Sequence, residues 1–161
     1  MAVSTNKKVT CIRFDREILT GFVQPATYLQ NEGLELLSPG GTVTVLPYLD
    51  VKCVCFVRDW GGIDKILEKR TFASRPKQEG LWVRFAWRDG EIMEALLPNR
   101  LLDLEPLGFT VVPPDPGGNA QKIFLPRLAL KEIQVLGVVG SQLRQQKKAK
   151  PSVPDQIKLF D

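Results

Sequence analysis

The stretch Val45-Leu46-Pro47-Tyr48-Leu49-Asp50-Val51-Lys52-Cys53-Val54 returns later in the chain as Phe124-Leu125-Pro126-Arg127-Leu128-Ala129-Leu130-Lys131-Glu132-Ile133. Leu, Pro, Leu and Lys fall at the same places in both. Proline has no N–H to give a sheet, and its fixed φ suits the first residue of a turn. Each stretch therefore reads as a strand, one short helical turn, and a last strand.

Upstream of each stretch the order of features is also the same. Val9 to Phe14 in the first copy matches Leu81 to Trp87 in the second, and both are β-rich. A tight turn follows, Asp15-Arg16-Glu17-Ile18 in one and Asp89-Gly90-Glu91-Ile92 in the other. Asp-Gly between apolar runs is a strong hairpin signal. Second strands are expected at Ile18 to Val23 and Ile92 to Leu97. Third strands follow a glycine, at Gly33-Leu34-Glu35-Leu36-Leu37 and Gly108-Phe109-Thr110-Val111-Val112. Ser38-Pro39-Gly40-Gly41 and the Pro/Gly-rich stretch 113–119 read as loops, because proline and glycine do not continue a central strand.

The expected fold is all-β, with two tandem small barrels of about five short strands each. Residues 8–58 form the first repeat and 81–140 the second, joined by a packed linker at 59–80. A unit of about 50 residues is marginal alone, so the copies should pack together or the chain should associate. Val51 to Val57 lacks polar alternation, which suggests a strand covered on both faces. In the linker, Ile63 to Arg70 reads as one or two helical turns, and Trp60 and Phe72 call for burial. Residues 141–161 are rich in Gln, Lys, Ser and Pro, and are expected to be a disordered, flexible basic tail.

The net charge of +4 is unevenly spread. The tail and the Lys7-Lys8 pair carry the excess, while residues 9–140 hold fifteen basic and sixteen acidic side chains. The basic character thus belongs to the ends. No apolar run approaches the roughly 18 residues of a membrane span, and Met1 to Lys8 lacks the apolar region of a secretory signal. With three cysteines and no disulfide spacing, a reduced cytoplasmic setting is expected. Cys53 and Cys55 would share one face of a strand, as buried core or, on the alternative reading, as soft-metal ligands.

The charged turn followed by apolar-x-Gly at Asp15-Arg16-Glu17-Ile18-Leu19-Thr20-Gly21, with the turn at Leu46-Pro47-Tyr48-Leu49 between the last two strands, resembles the Sm-like branch of the SH3-like barrels. That resemblance implies the barrel fold. The Asp/Asn and basic-Gly pairs with which Sm-like proteins hold RNA have no counterpart at Gln24 to Tyr28 or Leu46 to Tyr48. An Sm-like RNA- or DNA-binding protein, with the basic tail supplying the electrostatics, is one of two alternative readings. The Asp-Gly-Glu and Pro-x-Asp-Pro turns in this arrangement are similar to those of an uncharacterised bacterial family.

Gln156-Ile157-Lys158-Leu159-Phe160 resembles the pentapeptide with which bacterial polymerases and repair proteins dock on the DNA sliding clamp. That resemblance implies partner-binding roles for Gln156, Ile157, Leu159 and Phe160. Leu159 and Phe160 are adjacent large apolar side chains in polar surroundings, and such pairs enter a pocket. The pocket belongs to a partner or, on the other reading, to the chain's own barrel. The favoured function is a non-enzymatic adaptor tethered to the clamp.

Histidine is absent, which removes His-based acid–base catalysis and triads. There is no P-loop, dinucleotide fingerprint or metal-ligand spacing. No catalytic residue, cofactor or metal is expected. Arg70, Arg75, Lys77 and Arg84 lie on or beside the linker and form a candidate anion-binding set. Their spacing is similar to the arginine stretch of PilZ barrels, which implies nucleotide sensing as the other alternative.

Overall fold

Short β-branched and aromatic runs punctuated by Gly, Pro and Asp give strands, and strands are what forms. A computed structural model describes residues 5–61, 70–115 and 118–140. The first half holds β1 (Lys7–Arg13), β2 (Ile18–Val23), β3 (Leu34–Leu37), β4 (Val43–Leu46) and β5 (Val51–Val57). The second holds β6 (Gly80–Trp87), β7 (Ile92–Leu97), β8 (Gly108–Val111), β9 (Ala120–Pro126) and β10 (Leu130–Val139). Short 3-10 turns at Tyr48–Asp50 and Arg127–Ala129 join the last two strands of each half, and a third lies at Leu101–Asp103. Among the described residues there is no α-helix. The helical turns expected between Ile63 and Arg70, and the tail at 141–161, lie outside the described residues but for Arg70 itself.

All neighbouring strands pair antiparallel. One sheet has seven strands in the order β4-β3-β2-β1-β5-β9-β8, and the other has three, β10-β6-β7. Neither closes on itself among the described residues. A single bridge, Leu96 to Val112, links β7 to the segment after β8, with both N–H groups donating at 2.9 Å. The strands therefore form one run whose ends are β4 and β10. Each half contributes the same internal order, with its fifth strand beside its first and its fourth at the far side.

Details of the halves also correspond. The Arg13 N–H donates to Glu17 O at 2.9 Å, and the Trp87 N–H to Glu91 O at 2.8 Å. β5 and β10 each carry a bulge at a lysine, Lys52 and Lys131, where the ladder skips one residue. A Cβ on Gly33 would sit 2.3 Å from Leu46 O, and one on Gly108 would sit 2.2 Å from Leu125 O. Only glycine lets those backbones approach so closely.

β5 is the central element. Cys53, Cys55 and Val57 enter one core with Phe85, Trp87, Met93 and Ile123 of the second half. Val51 and Val54 enter the other with Val9, Cys11 and Leu34, and there Phe124 of β9 inserts. All three cysteines are buried as free thiols. The polar alternation missing from Val51–Val57 thus reflects burial on both faces. The two cores are not segregated by half, because the β5·β9 ladder carries side chains of each half into the other's interior.

Candidate functional site

Where β5 meets β9, the register places Phe56 directly opposite Lys122. On its other side Phe56 faces Val9 of β1. Lys7 precedes Val9 by two residues, so period-two alternation puts it on the same face. A half-buried aromatic ring is thereby flanked by two exposed lysines. Lys8, Tyr28, Thr110 and Gln121 complete a cleft of about 520 Å³. Its lining contains no carboxylate. Lys8 Nζ lies 5.3 Å from the centre of the Trp60 ring, a cation–π contact at the rim.

The floor is rigid and apolar. Tyr28 meets Phe56 and Phe124 edge to face, with centroids 5.9 and 6.0 Å apart. Burial pushes the Tyr28 phenol well above its ordinary pKa, with Tyr48 and Glu105 adding to the effect. Tyr48 is raised to about 12, chiefly by desolvation, and donates its hydroxyl to Gln30 O at 2.5 Å. Neither phenol ionises near neutral pH. The wall of the cleft is then cationic at its rim and neutral at its base, which suits an anion carrying a flat unsaturated group.

A second charged assembly lies at the seam of the halves. Lys52 is almost fully buried, and its ammonium meets Asp89 Oδ2 at 2.8 Å and Glu91 Oε1 at 2.9 Å. It also lies 4.7 Å from the Trp87 ring centroid, while the Trp87 indole N–H donates to Lys52 O at 3.0 Å. Desolvation raises the Asp89 pKa, but the hydrogen bonds from Lys52 and the Glu91 N–H outweigh it, and the net shift is downward. For Glu91 the Lys52 hydrogen bond leads, against desolvation and with help from Arg70, and the pKa is again lowered. The paired turn carboxylates are thus a clamp on a buried cation. In the first half the same turn positions, Asp15 and Glu17, hold Arg13 instead.

The four residues expected as an anion-binding set are dispersed. Arg70 pairs with Glu91 at the seam. The Arg75 guanidinium donates to Val138 O at 2.9 Å, and Arg84 to Gln134 Oε1 at 2.9 Å. Only Arg75 and Lys77 share a groove, beside Pro113 and Pro114. Gln156, Ile157, Leu159 and Phe160 lie outside the described residues. Among the described residues no group of three or more His, Cys, Asp or Glu is placed to hold a metal, and no helix is long and apolar enough to cross a membrane. The Phe56 cleft was not anticipated. Its one hint in the sequence was the Lys7-Lys8 pair, and Lys122 joins it only through a ladder between residues more than sixty positions apart.

No solved structure matches the chain. A family model matches residues 5–137, which covers both halves and both lysine-bearing strands of the cleft. The chain belongs to the Family of unknown function (DUF6982).

Proposed function

We propose that the protein is a non-enzymatic adaptor whose body, two fused Sm-like or SH3-like units, holds a single nucleic-acid strand in the cleft around Phe56. The observation that carries this reading is the placement of Phe56 between Lys7 and Lys122 with no carboxylate in the wall. Lysines neutralise backbone phosphates, and an aromatic face accepts a base of any sequence. Fluorescence anisotropy with a labelled single-stranded oligonucleotide tests it. Binding should weaken with salt, with a slope of about 0.7 per phosphate contacted. Lys7→Glu with Lys122→Glu should flatten that slope by about 1.4. Phe56→Leu should weaken binding by roughly 1–3 kcal/mol without altering the slope. A wild-type chain that leaves the oligonucleotide free at low salt rejects the reading.

A second reading rests on Gln156-Ile157-Lys158-Leu159-Phe160. The pentapeptide resembles a clamp-docking motif, and twenty residues of chain separate the end of β10 from Phe160. A sliding clamp is oligomeric, so a weak motif gains through effective concentration. A synthetic peptide of the last ten residues should bind purified clamp, and Leu159→Ala with Phe160→Ala should abolish that binding.

A further inference from the structure

We infer that the second half carries a docking pocket for an aromatic side chain, and that Phe160 of the chain's own tail fills it. The halves differ in the connection before the third strand. In the first half that connection buries Tyr28, which is 5% exposed and shares its core with Val23, Leu34 and Leu36. Counted back from the matched glycines Gly33 and Gly108, the position of Tyr28 falls to Asp103 in the second half. The next residue, Leu29 or Leu104, is half-buried in both. Asp103 is exposed, so an acid stands in water where the first half has a buried ring. The matched core residues Leu97, Phe109 and Val111 line a cavity of about 140 Å³ instead. An apolar cavity of about 150 Å³ accepts benzene.

The rim is apolar and acidic. Leu101 is 76% exposed and Leu102 fully exposed. Their turn is closed by the Asp103 N–H on Arg100 O at 3.0 Å and the Leu104 N–H on Leu101 O at 3.3 Å. The two leucines are thus held outward by an ordered backbone, and an apolar pair held in this way marks an interaction surface. Asp103 and Glu105 outnumber Lys122 in the lining. Asp103 lies 4.0 Å from Arg100, but the Glu105 carboxylate makes no ion pair or hydrogen bond among the described residues.

Phe160 is the one aromatic residue of the chain that lies outside the described residues. Its neighbours in Gln156-Ile157-Lys158-Leu159-Phe160 match the rim. Lys158 stands two residues earlier, about 7 Å along an extended chain, which brings its ammonium to Glu105. Leu159 is left to cover Leu101 and Leu102. Reach is ample. Val139 pairs with Gly80, and Leu81 beside it pairs with Leu97, so β10 ends about two strand spacings, roughly 10 Å, from the cavity wall. Phe160 is twenty residues beyond Gly140, a length whose coil span is roughly 25 Å. Docked, Leu159 and Phe160 are withheld from every other partner, and release of the tail exposes them. The docking itself needs no clamp, so a terminal peptide that ignores clamp leaves it intact.

Photocrosslinking and magnetic resonance of the full chain test the inference. With p-benzoylphenylalanine in place of Phe160, irradiation should join residue 160 to Leu97, Leu104, Phe109 or Val112 of the same chain, as mapped by mass spectrometry. The docking equilibrium is read from the amide shifts of Gln156 to Asp161 in isotope-labelled full chain, with the free peptide of the last ten residues as the undocked limit. Asp103→Tyr restores the ring that the first half has, and should lower the docking constant by about tenfold or more while the far-ultraviolet dichroism stays that of the wild type. Glu105→Lys should lower it by roughly twofold to fivefold, the size of one exposed ion pair. Wild-type shifts identical to those of the free peptide, or crosslinks spread over the whole surface, overturn the inference. So do crosslinks found only between chains, or docking that Asp103→Tyr leaves unchanged.

Discussion

Lys52 shows how a single side chain decides where charge is tolerated. Its ammonium lies over the Trp87 ring and ends on two carboxylates that keep partial access to water. Both carboxylates titrate below their ordinary range in the folded chain. A carboxylate with a depressed folded pKa binds its proton more readily in the unfolded chain, so acid favours unfolding. The stabilisation is complete above the unfolded values of about 4 and disappears as pH falls through the lower folded ones. Urea midpoints should therefore drop between pH 5 and pH 3, and Lys52→Met should make that acid limb shallower. An equal drop in both proteins would mean that the seam contacts have no part in it. In sequence, Asp89 and Glu91 read as part of a hairpin turn, and the turn was found. Their partner was not legible, because it sits 37 residues away on a strand whose neighbour is set by tertiary packing. The same turn in the first half has Arg16 at φ 72° where the second has Gly90 at φ 94°. The paired sequences had already aligned those two residues.

At the scale of elements, the strand order and the turns were legible because Gly, Pro and Asp punctuate them locally. Strand limits agree within a few residues, and the Pro-opened turns at Tyr48–Asp50 and Arg127–Ala129 are where the two matched stretches put them. The two fifth strands differ in burial. Val51–Val57 is apolar almost throughout and buried on both faces, whereas Lys131 to Val135 alternates and stays exposed. The role of Gly33 and Gly108 was less visible, since a crossing carbonyl leaves no mark in the sequence. Gly108→Ala should cost about 1–3 kcal/mol, because the added methyl meets both Leu125 O and the Phe124 ring. Gly40→Ala, whose Cβ would find only Ser38 Oγ at 3.9 Å, is the matched control and should leave the urea midpoint nearly unchanged.

Over the whole molecule, the reading of two separately closed barrels meets a different organisation. The halves share the β5·β9 ladder, Phe124 fills the first half's core, and Cys53 and Cys55 fill the second's. Long-range pairing of this sort has no local signature, which is why the Phe56 cleft and the seam both escaped the sequence. The shared cores imply one cooperative unit. Unfolding followed by far-ultraviolet dichroism and by calorimetry should give a single coincident transition, and residues 5–61 expressed alone should fail to fold. Two resolved transitions would show that the halves are energetically independent. Trp87 offers a way to watch this happen. It is fully buried at the seam, holds a backbone carbonyl of the other half, and carries a cation over its ring. With Trp60 and Trp82 replaced by phenylalanine, the chain would possess a built-in optical reporter of the contact between its halves. Its emission would shift to the red at the instant they part.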